Sequence, residues 1–274
     1  MDLWSGSALL VAAAVLVSAA ASDVRTRRVD DRHWLFMLCA CVPLASASVA
    51  EVHGASTALL YLAGSVLMGL YILSPDVSGA RAVPVLALSA AALLWPAASG
   101  SSGGAACASA LFSCLLFAGM HGARLLAGGA DAKCLMSLAL AVPEYPDLPG
   151  LPLLSYPELL PPALAVFVLA LLISAAWGVR AAVSNARAGR LGRGMFSYVR
   201  VPLAEADPVR HWPAERAEGG EVVPCRPSPE GSEAVLEGLR AAGAGDAKVA
   251  VTVPFILPVC LALPLLLAVG LPVA

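Results

Sequence analysis

Charge is scarce in this 274-residue chain: only 13% of the residues are Asp, Glu, Lys or Arg. A mean hydropathy of +0.81 with 59% hydrophobic residues lies well outside the composition of soluble domains and points to a bilayer. The formal net charge of −2 and the lack of any basic stripe interleaved with aromatics exclude a nucleic-acid partner. No Cys-x-x-C pair occurs among the seven cysteines, at 39, 41, 107, 114, 134, 225 and 260. All but Cys225 stand in apolar stretches, so they read as small buried residues, and neither a zinc site nor a disulfide frame is expected. There is also no glycine-rich nucleotide fingerprint near the start and no repeat of fixed period.

What the chain does have is a series of uncharged apolar runs, at Leu3 to Ala21, Trp34 to Ala50, Thr57 to Leu73, Ala82 to Ala98, Ala105 to Met120, Pro162 to Val179 and Val249 to Ala274. Most approach the ~20 residues that carry a helix across hydrocarbon. Cys134 to Val142 is about half that length, and a short span, a re-entrant helix and a core helix all fit it. The expected fold class is therefore an all-α polytopic membrane bundle of seven or eight transmembrane helices. A small cytoplasmic subdomain is expected before the last helix.

Positive charge orients the bundle. Only Asp2 precedes the first run, while Arg25, Arg27, Arg28 and Arg32 follow it, which argues against a cleaved signal peptide despite the small residues Ser18 to Ser22. The N-terminus is then outside. Counting across, Glu51 and His53 fall outside, Arg81 inside, the Gly and Ser run from Ser99 to Gly104 outside, and Arg124 with Lys133 inside. If Cys134 to Val142 crosses, the Pro-rich loop Pro143 to Pro161 lies outside, and Arg180, Arg187, Arg190, Arg193 and Arg200 return to the cytoplasm. The expected division is a membrane core over 1–179, a soluble cytoplasmic subdomain over 180–248 and a transmembrane helix over 249–274. Within the subdomain, Ser232 to Ala242 predicts a helix capped by Ser232, and the proline-punctuated stretch from Arg200 to Pro229 predicts loop or short strands. A subdomain of this composition is expected to fold weakly alone.

Ionisable groups at membrane depth or at helix ends are candidates for function. The aspartates expected near the cytoplasmic face are Asp23, Asp30, Asp31, Asp76, Asp131 and Asp246. Asp23 follows the first run without a spacer, and Asp131 stands in Gly128-Gly129-Ala130-Asp131-Ala132-Lys133, where small residues leave room for an extended peptide and for close helix packing. Two carboxylates held together suit peptide hydrolysis, because one keeps its proton while the other ionises. The ionised one takes a proton from water; the other polarises the scissile carbonyl.

Ser22-Asp23-Val24-Arg25-Thr26-Arg27-Arg28-Val29 resembles the first signature of the prepilin-peptidase family of membrane aspartyl proteases, an Asp at a cytoplasmic helix end followed by basic residues. Gly128 to Lys133 resembles the second, G-x-G-D, in the G-G-A-D-A-K form of archaeal members. The likeness continues through Pro143-Glu144-Tyr145-Pro146 and the entry Val251 to Pro258, which is similar to the carboxyl-terminal part of archaeal preflagellin peptidases. Ala130 departs from the second Gly, Asp30-Asp31 replaces a common Pro-Asn pair, and the spacing between the aspartates suggests an extra helical hairpin. The resemblance implies an aspartic endopeptidase of the cytoplasmic membrane with Asp23 and Asp131 catalytic at the cytoplasmic face. It further implies Gly128, Gly129 and Lys133 in support, and neither metal nor cofactor. Its partners would be preflagellin or type IV prepilin-like precursors together with membrane lipid. No cysteine-rich methylating domain is present, so cleavage without methylation is expected.

Gly243-Ala244-Gly245-Asp246-Ala247-Lys248 is a literal G-x-G-D, yet it leads out of a charged segment, where an Asp beside Gly is expected to be a turn or N-cap residue. Asp76, after Ser74-Pro75, reads as a turn residue, and the arginines at 25, 27, 28 and 32 as topology and lipid contacts. Lys133 has two readings, holding a carboxylate ionised or snorkelling, and His121 reads as structural. Glu205, Asp207, Glu215, Glu218 and Glu221 are candidates for attracting a basic leader or for keeping a loop soluble. The rival functions are another G-x-G-D intramembrane protease, with aspartates at mid-membrane, and a proton-coupled transporter, with ionisable groups at the midplane.

Overall fold

The computed structural model describes residues 3–74, 82–126, 128–148, 150–156, 160–189, 194–228, 231–250 and 253–270. Asp2, Asp76, Arg81, Arg190, Arg193, Pro229, Val251 and Thr252 lie outside the described residues, so the expectations placed on them are not addressed. The chain divides into two compact units, Met1–Ala170 with Phe255–Ala274, and Leu171–Pro254.

The first unit holds α1 (Leu3–Thr26), α2 (Asp31–His53), α3 (Ala55–Leu73), α4 (Ala82–Ala98), α5 (Gly104–Gly122), α6 (Gly129–Ala141), the start of α7 (Pro162–Arg187), and α9 (Ile256–Val269). Among the described residues five helices, α1, α2, α3, α5 and α7, are long and apolar enough to cross a membrane. Large apolar side chains stand exposed along them, among them Leu10 at 73%, Leu59 at 66% and Phe36 at 60%. Such a surface suits lipid and not water.

Local chemistry sets the helix ends. Asp30 caps α2, its carboxylate accepting from the Arg32 amide at 2.9 Å. At the other end Gly54, at φ 92°, donates its N–H to the Ala50 carbonyl at 3.0 Å and turns the chain directly into α3. Packing then relies on small residues: a Cβ on Gly64 would lie 2.6 Å from Leu93 Cγ, and Ser89 Oγ donates to the Gly64 carbonyl at 2.8 Å, so α3 and α4 pack closely there. The largest buried side chains of the bundle include Trp34, Tyr61, Phe117 and Met37.

The half-length segment Cys134 to Val142 lies between contacts made to the two ends of α2. At its start Lys133 bonds Asp31, the first residue of α2; past its end Glu144 lies 3.3 Å from His53, the last. Between those anchors α2 rises roughly 33 Å at ~1.5 Å per residue. The helical part of α6 after Lys133 supplies roughly 12 Å, the extended residues after it roughly 10 Å, and the side-chain arms the rest. Tyr61, fully buried in α3, donates its hydroxyl to the Leu140 carbonyl at 2.6 Å, satisfying one of the carbonyls that the end of α6 leaves open.

The second unit corrects the all-α expectation. It contains β1 (Tyr198–Pro202), β2 (Trp212–Pro213), β3 (Glu215–Glu218), β4 (Glu221–Pro224), α8 (Ser232–Ala241) and β5 (Asp246–Ala250). β1, β5 and β2 form an antiparallel sheet in the order β1-β5-β2, and β3 pairs with β4. Gly219 and Gly220, at φ 61° and 86°, make the two-residue hairpin turn between β3 and β4, which needs positive φ at both positions. Leu203, Ala206, Leu236, Leu239, Ala247 and Val249 bury a core of their own. The cap of α8 is Gly231, in the left-handed region, while Ser232 donates its hydroxyl to the Ser228 carbonyl.

The final helix also starts later than its apolar run. Val249 and Ala250 belong to β5, where Ala247 and Val249 face the core, and α9 begins only at Ile256. A short apolar strand and the start of an apolar helix look alike in composition, so the run from Val249 joined two different elements.

Candidate functional site

Asp23 stands in the last turn of α1, half-buried. The chain leaves α1 at Arg27, at φ 54°, whose N–H donates to the Asp23 carbonyl at 2.9 Å. The Asp23 side chain turns elsewhere: Oδ2 accepts the N–H of Ile256, the first residue of α9, at 3.3 Å. Phe255, in the N-cap position of α9, offers no side-chain cap, so a carboxylate from a distant helix fills that role.

Asp131 is the third residue of α6, and the backbone of Gly128, in the N-cap position, hydrogen-bonds its carboxyl. This is half of a capping box, with the side chain reaching back to the residue that opens the helix. It requires Gly at 128, because a Cβ there would collide with Asp131 Oδ2 and lie 2.9 Å from Cγ. Asp131 is within electrostatic reach of Asp23, and Cys134 of α6 is within reach of both. The two signature aspartates, far apart in sequence, thus face a common region.

Gly129 and Lys133 have surroundings of their own. Lys133 bonds neither signature aspartate: its Nζ donates to both oxygens of Asp31, at 2.8 and 2.7 Å. Gly129 is exposed, and a Cβ on it would stand 3.8 Å from the ring of His121. His121 itself, in the last turn of α5, places Nδ1 3.3 Å from the Leu126 carbonyl, as a structural histidine would. Arg25 and Arg28 are exposed, and Arg32 makes a 3.7 Å pair with Asp30. Cys39 is exposed on α2 and Cys225 and Cys260 are half-buried, so burial does not account for every cysteine.

Asp246 is neither a turn residue nor an N-cap. It opens β5 in the second unit and forms an ion pair with Arg200 of the paired strand β1. Of the five acidic residues considered for leader attraction, Glu215 is buried, accepting from the Lys248 amide at 2.8 Å and pairing with Arg200. Asp207 caps the Val209 amide and pairs with Arg210, and Glu218 pairs with Arg216. Glu205 and Glu221 are exposed.

The contacts that sequence reasoning missed are Asp31 as the partner of Lys133 and the Ile256 amide on Asp23. Both are tertiary, across 102 and 233 positions, and carry no local pattern. Among the described residues no group of three or more His, Cys, Asp or Glu is placed to hold a metal ion. Chemically, the arrangement offers two carboxyls sharing one region, each fixed by a backbone hydrogen bond. No family model, curated protein or solved structure matches this chain.

Proposed function

We propose that this chain is a membrane-embedded aspartyl endopeptidase, with Asp23 and Asp131 as its catalytic pair. It removes the short basic leader from preflagellin-like or type IV prepilin-like precursors at the cytoplasmic membrane face, without methylating the new N-terminus. The observation that carries the reading is the placement of the Asp131 carboxyl within electrostatic reach of Asp23, from opposite parts of the first unit's sequence. Two carboxyls that feel one another's charge resist ionising together, so one is ionised while the other keeps its proton. The ionised member draws a proton from water as the water oxygen attacks the scissile carbonyl carbon. The protonated member donates a hydrogen bond to the carbonyl oxygen, and proton transfer to the amide nitrogen releases the two peptides. Asp246 takes no part, being ion-paired to Arg200 in a strand.

The experiment is cleavage of a preflagellin-like substrate in membranes carrying wild type, Asp23→Asn, Asp131→Asn or Asp246→Asn. Loss of cleavage in the first two variants and its retention in the third is the expected result. Cleavage surviving either Asp23→Asn or Asp131→Asn would remove the dyad, and a wild type inert toward such substrates would remove the peptidase reading.

A further inference from the structure

We infer that the Asp31–Lys133 ion pair is a positioning element that sets the rotation of α6 about its axis, and so points the Asp131 carboxyl at Asp23. The inference rests on the dyad proposed above and names residues outside it.

α6 has unusual need of such an element. Every residue from Cys134 to Ala141 is buried, and so is Ala132, so the helix is apolar all round and no single hydrophobic face selects its rotation. Its first turn opens with Gly128, Gly129 and Ala130, which have no side chain able to grip a neighbour. The hydrogen bond that Asp131 makes at that end goes to the backbone of Gly128, and therefore turns with the helix. Rotation must be set by polar contacts to other helices. Tyr61 supplies one near the far end and Cys114 another at Met136, but both bind main-chain carbonyls. Lys133 supplies a third, through its own side chain, at the end where Asp131 stands.

The geometry of the helix converts this contact into an orientation. Two residues apart on an α-helix, Asp131 and Lys133 project at roughly 200° to one another. Holding Lys133 against Asp31 therefore turns Asp131 away from the start of α2. Nζ lies 2.7 and 2.8 Å from the two Asp31 oxygens, with the Lys133 side chain 20% exposed and that of Asp31 54%. A pair open to water on its carboxylate side adds little stability, but a mostly covered lysine that engages both oxygens has a defined direction.

The test uses the full chain in proteoliposomes with its seven native cysteines replaced, carrying Asp23→Cys and Asp131→Cys, and reads the rate of joining by a short bis-thiol crosslinker. Lys133→Met keeps the aliphatic stem and removes the charge; the exchange Asp31→Lys with Lys133→Asp restores the pair reversed. Crosslinking is expected to slow by about tenfold in Lys133→Met and to recover in the exchanged pair. In chains with both aspartates intact, Lys133→Met is expected to lower kcat by about 100-fold with little change in KM, as misplacement of a catalytic group does. Crosslinking that proceeds equally with and without the Lys133→Met substitution, or no recovery on exchange, would overturn the positioning role and leave the dyad standing. Absence of crosslinking in every background would overturn the dyad, and this inference with it. A melting temperature for each variant separates displacement from unfolding.

Discussion

The Asp131 carboxyl packs over the α-carbon of Gly128, in the space that a β-carbon at position 128 would occupy. The first glycine of the second signature therefore shapes the carboxyl directly. Gly128→Ala is expected to displace Asp131 and to reduce the proposed peptidase activity by about tenfold or more, at unchanged expression. Gly129→Ala meets nothing closer than 3.8 Å and is expected to cost far less, so turnover of the two variants side by side checks the distinction.

Tyr61→Phe removes one hydroxyl in a fully buried place and leaves the Leu140 carbonyl without its partner. An unsatisfied carbonyl of this kind costs about 1–3 kcal/mol. The expected outcome is a lower unfolding midpoint in detergent, read by intrinsic fluorescence, with the proposed dyad chemistry reduced only in proportion to the loss of folded protein.

In the second unit, Leu236 lies at the centre of a core made by a handful of side chains. Leu236→Ala is expected to destabilise that unit by about 2–5 kcal/mol through lost burial and the void left behind. Limited proteolysis of membranes should then cut first within residues 171–254 and spare the helices of the first unit.

The proposed dyad also fixes the form of the pH dependence. Below the first macroscopic step both carboxyls are protonated and no base remains; above the second both are ionised and no donor remains. Cleavage is expected to rise and then fall with pH, and a single sigmoid over the stable range would contradict the two-carboxyl mechanism.

The apolar runs disclosed most helices because uncharged stretches near bilayer length have few other uses, and both signature aspartates stood out at their flanks. Composition failed where neighbouring elements share it. Val249 extends the alternation of β5, yet it reads equally as the entry to a span. Ser232 carries the right side chain for a cap, but Gly231, free to take φ 75°, holds the N-cap position of α8. The literal motif at Asp246 misleads for a related reason: a Gly-Asp pair fits the entry to a strand as readily as an active site, and only the Arg200 contact distinguishes them. Lys133 was legible as a charge in search of a carboxylate, and its place two residues from Asp131 on a helix turns it away from that carboxyl, but its partner Asp31 is 102 positions off and no local pattern names it.

The hydrogen bond between Asp23 and Ile256 imposes an order in time. Asp23 emerges early in synthesis, whereas the amide that holds it belongs to a segment 233 positions later, beyond the whole of the second unit. A nascent chain can form α1 and α6 while Asp23 still lacks this partner. Full fixation of that carboxyl waits until the ribosome has made the intervening unit and the chain has returned to α9.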